Sequence, residues 1–430
     1  MALTWRAVVL AALGVPVVLV LPLPLTVVLW ALLVLTVCAV DAAAAASPRQ
    51  VAVQRTVPDS TRLTESVESV LTLSNVGRRR LRALVRDAWA PSAGAVRDRH
   101  TVDVPAGEGR RVRTTLRPTR RGDVHADRVT IRSYGPLQVA ARQASVPVSG
   151  RVRVLPAFHS RRHLPSRLAR LREMDGRAAV QVRGAGTEFD SLREYVIGDD
   201  VRSIDWRASA RRADVVVRTW RPERDRRVMI VLDTGRTSAV RVLDEPRLDA
   251  SVEAALLLAA LANHAGDRVE LLAYDRRVRA RVVGSAGPRL MPSMADQLAG
   301  VAPELIETHW PGVVAQVRQR MSQRALVVLL TSLEPAVVEH GLLDVVGGLA
   351  QRHQVVLASV ADPEVPELAR ARDDAATIFD AAAAERVGLE RAAVAMRLRQ
   401  QGVEVVDALP GDLAPKLADT YLALKAAGRL

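Results

Sequence analysis

Residues 7–40 carry no charged side chain, an uninterrupted run of 34. One straight helix of that length would be about 51 Å long, against a hydrocarbon core of about 30 Å. Leu21-Pro22-Leu23-Pro24 interrupts the run. Proline removes a backbone donor and biases the residue before it out of the helical region. The pattern predicts two helical legs, roughly 2–21 and 23–40, joined by a tight turn, so that residues 1–47 form a transmembrane hairpin. Arg6 flanks the first leg, Arg49 and Arg55 follow the second, and no charge lies between them. The positive-inside rule then places both ends, and everything after residue 41, in the cytoplasm. Two other processing signals have a partial match. Arg6, the apolar stretch and the alanines at 42–46 resemble a signal peptide, but a signal core is about 7–15 residues and this run is more than twice that. Leu35-Thr36-Val37-Cys38 resembles a lipoprotein box, with bulky Val37 where a small residue is required.

Charge is unevenly placed along the chain. Residues 228–430 hold 22 basic and 26 acidic side chains, whereas residues 1–227 hold 39 and 21. A basic half beside a membrane segment fits anionic lipid headgroups as a partner, and equally a solvated arginine surface. Nucleic acid is not expected. Aromatic residues are only 3% of the chain, too few for base stacking, and all but two of the 61 basic residues are arginines, a bias that accompanies GC-rich genomes. The single cysteine, Cys38, excludes an internal disulfide and any cysteine-based zinc cluster.

Residues 48–156 read as β-rich. Short β-type runs at 51–55, 69–73, 102–104, 111–116 and 129–131 are separated by turn signals at 74–77, 105–107, 121–123 and 135–136. That spacing predicts an immunoglobulin-like β-sandwich. Residues 157–226 form a charged motif or linker: a basic helical stretch around Leu164, Leu168 and Leu171, then a run in which carboxylates and arginines alternate. Residues 227–430 alternate apolar strands with helices, as in an α/β doubly wound, Rossmann-like sheet. Strands are expected at 227–232, 269–274, 325–330, 355–360 and 403–407. Helices are expected at 248–264, 312–323, 341–351, 381–401 and 411–427. Ligands on such sheets bind at the carboxyl ends of the strands.

The stretch GTEFDSLREYVIGDDVRSIDWRASARR, followed by VMIVLDTGRTS, resembles the domain of unknown function family 58. Those bacterial proteins look like membrane-anchored von Willebrand factor A-like proteins, often encoded beside MoxR-type AAA+ ATPases. The resemblance implies an A-like domain over 227–430. It also implies a MoxR-type ATPase as partner and an interaction or structural motif made of Gly186, Glu188, Phe189, Asp190, Arg193, Tyr195, Gly198, Asp199, Asp200, Arg202, Asp205 and Trp206. Phe189, Tyr195 and Trp206 are expected to be its apolar packing anchors.

The A-domain family binds Mg²⁺ through an Asp-x-Ser-x-Ser loop, a threonine and a second aspartate. A hard cation wants several oxygen ligands, and a partner carboxylate can supply the last. Here the matching positions are Asp233, Thr237, Thr308 and Ser332. Gly235 replaces the middle hydroxyl, and Ser332 stands where the second carboxylate belongs. A degenerate site of this kind is not expected to retain Mg²⁺, and no other cofactor is implied. Arg236 is expected to take the ion's place against a partner carboxylate. Without a metal, Asp233 would cap a helix or order the loop at the sheet edge.

Motifs for catalysis are missing. The sequence contains no G-x-x-x-x-G-K-[ST], no H-E-x-x-H and no G-x-S-x-G. Asp199, Asp200 and Asp205 could form a carboxylate cluster for metal-assisted hydrolysis, but Arg202 and Arg207 lie among them and ion pairing is expected instead. The expectation is therefore a non-enzymatic adaptor on the cytoplasmic face of a bacterial membrane. The alternatives are a carboxylate-dependent hydrolase and a secreted adhesion-type A-domain protein.

Overall fold

Leu21-Pro22-Leu23 is the bend between two apolar helical legs. The computed structural model describes residues 2–181, 188–212, 214–221, 226–371 and 374–430. It divides into two compact units, Met1–Leu155 and Pro156–Leu430.

In the first unit the opening leg departs from the expected helix over 2–21. It begins as strand β1 (Ala2–Leu3) and continues as α1 (Trp5–Ala12) and α2 (Gly14–Val20). The second leg, α3 (Pro24–Ala44), runs four residues past the expected end and is long and apolar enough to cross a membrane. Pro24 occupies its first turn, where a missing N–H is harmless. Gly14 lets the legs approach closely, because a Cβ there would overlap the Trp30 ring. Both legs end on one short segment. Thr4 donates its hydroxyl to Gln138 O at 2.7 Å and its N–H to Val139 O at 3.1 Å. Asp41, fully buried near the end of α3, accepts the N–H groups of Leu137, Val139 and Ala140 at 2.8, 2.8 and 2.9 Å.

The rest of this unit is two sheets on one core. The strands are β2 (Val51–Thr56), β3 (Ser60–Arg62), β4 (Val67–Asn75), β5 (Leu81–Trp89), β6 (Ala95–Val96), β7 (Arg99–Val104), β8 (Gly109–Leu116), β9 (Gly122–Tyr134) and β10 (Ala140–Leu155). One sheet runs β1-β10-β9-β5-β7, with β3 also on β10, and the other runs β2-β4-β8-β6. Alternation in β4 and β5 sends Leu71, Leu73, Leu81 and Val85 inward, where they meet Val102, Val129 and Ile131. A buried ion pair crosses this region: Arg55 meets Asp87 at 2.6 Å, with Ser69 and the Trp89 indole donating to the same carboxylate.

The second unit opens with α4 (Leu164–Gln181), a small hairpin of β11 (Glu188–Glu194) and β12 (Val216–Arg221), and α5 (Trp206–Arg212) between those strands. Thereafter come β13 (Arg227–Asp233), the two-residue strands β14 (Arg241–Val242) and β15 (Glu245–Pro246), α6 (Arg247–His264), β16 (Arg268–Tyr274) and β17 (Val278–Val282). Next are α7 (Leu290–Ala299), α8 (Trp310–Arg320), β18 (Leu326–Leu330), α9 (Pro335–Val337), α10 (Leu343–Ala350) and β19 (Gln354–Val360). The chain closes with α11 (Glu364–Leu368), α12 (Ala375–Gln400), β20 (Val403–Ala408) and α13 (Pro410–Ala426). The main sheet runs β17-β16-β13-β18-β19-β20, parallel except for β17. Strands β18 and β19 are buried throughout because helices cover both faces. α6, α7 and α13 pack on one face, joined by Leu171 of α4. α8, α10 and the end of α12 pack on the other. The β11–β12 hairpin, β17 and α7 have no counterpart among the elements expected from sequence, and α12 starts six residues earlier than expected.

Candidate functional site

β13 and β18 are neighbours at the centre of the sheet, and the chain leaves them in opposite directions. A crevice opens at the carboxyl ends of such a strand pair. Asp233 closes β13 and stands there, only 2% exposed. One carboxylate oxygen accepts the Gly235 N–H at 2.8 Å and the Thr308 hydroxyl at 2.5 Å. The other accepts the Thr331 hydroxyl at 2.6 Å and, at the long limit of 3.5 Å, that of Thr237. Ser238 donates to the Asp233 carbonyl at 2.7 Å. Burial pushes the Asp233 carboxyl above its ordinary range; Thr308, Thr331, Gly235 and Thr237 oppose that shift without cancelling it.

Three of the four positions expected around a cation thus converge: Asp233, Thr237 and Thr308. The fourth, Ser332, is buried, and its hydroxyl has no hydrogen-bond partner. The third strand's actual contribution is Thr331, one residue earlier, which sequence reading passed over. Its signal was the Thr-Ser pair directly after the buried run of β18, where either hydroxyl could face the crevice. A Cβ at Gly235 would overlap the Thr308 hydroxyl and lie 2.9 Å from Ile306 O, so no side chain can supply the middle ligand without moving that loop. The donor set is one carboxylate and neutral hydroxyls, which does not match the anionic oxygen-rich cage that Mg²⁺ prefers. What the cluster does is tie the loops after β13 and β18 to the one before α8. Asp233 thereby acts as the loop-ordering residue.

Arg236 extends from the same loop. Its guanidinium pairs with Glu307, both side chains being about half exposed, and its N–H donates to Ile306 O at 2.8 Å. Arg247 lies deeper, bonded to Glu334 at 2.7 Å and to the Thr237 carbonyl at 3.1 Å. On the neighbouring loop Asp275 accepts from Arg276 and Arg277 N–H and from the Arg279 guanidinium. Burial would raise its carboxyl, yet those donors hold it below the usual range.

The charged motif is a hairpin and its connecting loop. Gly186 lies outside the described residues. Glu188, Phe189 and Asp190 fall within β11, where Phe189 pairs with Trp220 across the ladder. Asp199 accepts the Val196 N–H at 2.9 Å and the Arg193 guanidinium at 2.8 Å, and that ion pair holds its carboxyl low. Gly198, at φ 111°, makes the turn between them in a region that side chains avoid. Asp205 accepts the N–H groups of Arg207 and Ala208 at the start of α5 and the Arg218 guanidinium at 2.8 Å. Its carboxyl is lowered chiefly by the Ala208 N–H and then by Arg218. Asp200 accepts the Arg202 N–H at 2.9 Å.

Two expectations are corrected here. Asp199 and Asp205 do pair, but with Arg193 and Arg218 on the strands rather than with Arg202 and Arg207, while Asp200 accepts a backbone N–H. The three aspartates consequently point to separate partners. Trp206 is not a packing anchor: it is 66% exposed, since it opens α5 on the outer side of the hairpin. Tyr195 is half-buried, and its N–H donates to Val215 O at 2.8 Å. Val216 and Val217, adjacent on β12 and so on opposite faces of it, are both buried. The loop before Trp206 exposes Val196, Val201 and above all Ile197, at 96%. Arg202, Arg207, Arg218 and Trp206 line an open hollow of about 400 Å³.

Comparison with known proteins adds three findings. Uncharacterized protein Rv1480 of Mycobacterium tuberculosis and uncharacterized protein Mb1516 of Mycobacterium bovis are each 25% identical to this chain over 189 residues. The match covers 44% of this chain and 59% of each relative, so the chain spans under two thirds of their length. Among solved structures, the CARDB domain of PF1109 from Pyrococcus furiosus covers 24% of this chain and 91% of that domain, at 17% identity and a TM-score of 0.19. Residues 191–404, which include both the exposed loop and the Asp233 cluster, match the family described as "Protein of unknown function DUF58", and through that region the chain belongs to the DUF58 family.

Proposed function

We propose that this chain is a non-enzymatic, membrane-anchored adaptor that docks a protein partner through the loop at 196–206. The observation that carries the reading is the exposure of Ile197, Val201 and Trp206 within one short loop of the family region, with Arg202, Arg207 and Arg218 lining a hollow together with Trp206. Monomeric surfaces rarely present such a group unless it contacts something, and Trp with Arg is the pairing most enriched at binding hot spots. In this reading residues 48–156 are an immunoglobulin-like sandwich acting as spacer, and residues 227–430 are a von Willebrand factor A-like domain. The resemblance to bacterial proteins encoded beside MoxR-type AAA+ ATPases makes such an ATPase the partner, with the client unnamed.

The anchor is the two-leg hairpin. Thr4 and Asp41 are both held by residues 137–140, so the start and end of the apolar segment lie together. If α3 crosses the bilayer, α1 and α2 must cross back. Arginines on both flanks then place the soluble part in the cytoplasm. Docking in this reading needs no metal, because Asp233 is saturated by hydroxyl and backbone donors. Co-purification from detergent-solubilised membranes is the test. Wild type should retain a AAA+ ATPase in the presence of a chelator, and Ile197→Asp should lose it. Retention of the same ATPase by Ile197→Asp with Trp206→Ala would overturn the loop as the docking surface.

A further inference from the structure

At the open end of the hairpin, two turns of the β unit are fastened to the ends of the apolar legs. α3 has 21 residues, about 31 Å of helix, close to the thickness of a bilayer's hydrocarbon core. With the bend at Leu21-Pro22-Leu23 at one boundary of that core, Ala43 and Ala44 lie at the other. The β4–β5 turn is held there. Arg79 donates its guanidinium to Ala43 O, and Val76 donates its N–H to Gln50 O at 3.1 Å. The β9–β10 turn is held to the first leg. Arg6 donates to Leu137 O at 3.2 Å, beside the bonds from Thr4 to Gln138 and Val139. Arg49 lies in the single 3-10 turn that follows α3.

Two kinds of side chain are exposed at this level. The apolar ones include Trp5 at 71%, Val76 at 70% and Leu137 at 57%. The cationic ones are Arg6, Arg49, Arg78 and Arg79, all exposed. Among the described residues none of these four pairs with a carboxylate. The acids on the adjoining strands, Asp103 and Glu108, act instead on Arg80, which meets Asp103 at 2.6 Å. Asp41, at the end of α3, is buried and already holds three backbone N–H groups. Arg6 stands 6.0 Å over the Trp5 ring. Unpaired guanidinium groups among exposed apolar side chains, at the depth where hydrocarbon gives way to headgroups, match the two layers of a lipid surface. Tryptophan favours that boundary, and arginine reaches from it to anionic oxygen.

Building on the reading of the hairpin as a membrane anchor, we propose that this end of the first unit is a second membrane contact, specific for anionic phospholipid. Trp5, Val76 and Leu137 enter the interfacial layer, and the four arginines bind lipid phosphate. Each guanidinium offers a planar fork of donors that fits phosphate oxygens, and each cation near an anionic leaflet adds to the attraction. The contact is made by the hairpin's end and by turns of the folded β unit together. It therefore seats that unit against the bilayer, where a hairpin alone would leave it free to swing.

The test uses the full chain in nanodiscs of phosphatidylcholine alone and of phosphatidylcholine with phosphatidylglycerol. Val76 and Gly77 donate their N–H groups to Gln50 O and Asn75 Oδ1, each at 3.1 Å, so their hydrogen exchange reads how often the turn opens. Exchange there should be about tenfold slower in the anionic discs. Arg49→Gln with Arg78→Gln should lose most of that protection and still enter the discs as wild type does. In a Cys38→Ala background, a polarity-sensitive dye on Leu137→Cys should emit to the blue. The same dye on Arg120→Cys, past the far end of β8, should report water. Equal exchange in the two discs, or full protection in the double variant, would overturn the proposal and leave the hairpin standing. A chain that enters neither disc would overturn both. Equal slowing by soluble glycerol phosphate in neutral discs would refute a lipid surface in favour of a free-anion site.

Discussion

Thr331→Val keeps a β-branched side chain of the same shape and removes one hydroxyl from Asp233. That hydroxyl donates to the carboxylate at 2.6 Å in a site closed to water, so the loss is not screened. A hydrogen bond to a charged group contributes about 1.5–3 kcal/mol, against about 1 kcal/mol for a neutral pair. At a pH above the folded-state value of Asp233, urea unfolding of the unit 156–430 followed by circular dichroism should show Thr331→Val destabilised by about 2 kcal/mol. In an Asp233→Asn background the same change should cost about 1 kcal/mol, and the difference is the coupling of hydroxyl to charge. Burial raises the folded-state pKa of Asp233, so the folded unit holds that proton more tightly than the unfolded chain does. Its contribution to stability is complete below the ordinary carboxyl value and is lost as pH rises through the folded value. Asp233→Asn should therefore gain on wild type across that window. Equal costs of Thr331→Val in both backgrounds, at a pH where Asp233 has lost its proton in the folded unit, would refute the view that these hydroxyls carry a buried negative charge.

Gly235→Ser, which would restore the missing middle hydroxyl, should destabilise by about 1–3 kcal/mol and gain no Mg²⁺ binding in titration calorimetry, because its Cβ displaces Thr308. Asp41→Ala leaves the amides of Leu137, Val139 and Ala140, the last two buried, without an acceptor and should cost about 3 kcal/mol, read as thermal unfolding of the full chain in detergent. Trp206→Ala should change the stability of the second unit by less than about 0.5 kcal/mol, as befits an exposed ring.

The legible parts of this chain were those where one physical signal dominates. The proline-broken apolar run gave both legs of the hairpin, and continuous apolar runs gave the buried parallel strands β13, β18 and β19. β17 was missed because its alternation, Val278-Arg279-Ala280-Arg281-Val282, is that of an edge strand covered on one face only. The start of α12 was missed because its signal was local, the capping box of Asp374 and Thr377, and not the apolar periodicity from which the helices were read. At the crevice, the resemblance to A domains pointed to Asp233, Thr237 and Thr308. It pointed to Ser332 rather than Thr331, since which hydroxyl faces inward depends on how the backbone turns after β18. Trp206 was misjudged for a different reason. A large aromatic residue among charges reads as buried by habit, and only the placement of α5 shows that it is exposed.

The contacts that close the first unit also set a schedule for its synthesis. Thr4 finds its acceptor 135 positions later, at Val139. At about 5–20 residues per second, the ribosome adds that stretch in about 7–27 s. Throughout that interval the most apolar segment of the chain has emerged and its seat has not. Strand β1 cannot pair and the carboxylate of Asp41 has no amides to meet until residues 137–141 arrive. Under the proposed anchoring, a bilayer covers the two legs in the meantime. The β unit would then be completed against a hairpin already in place, so that insertion precedes folding of the unit it supports.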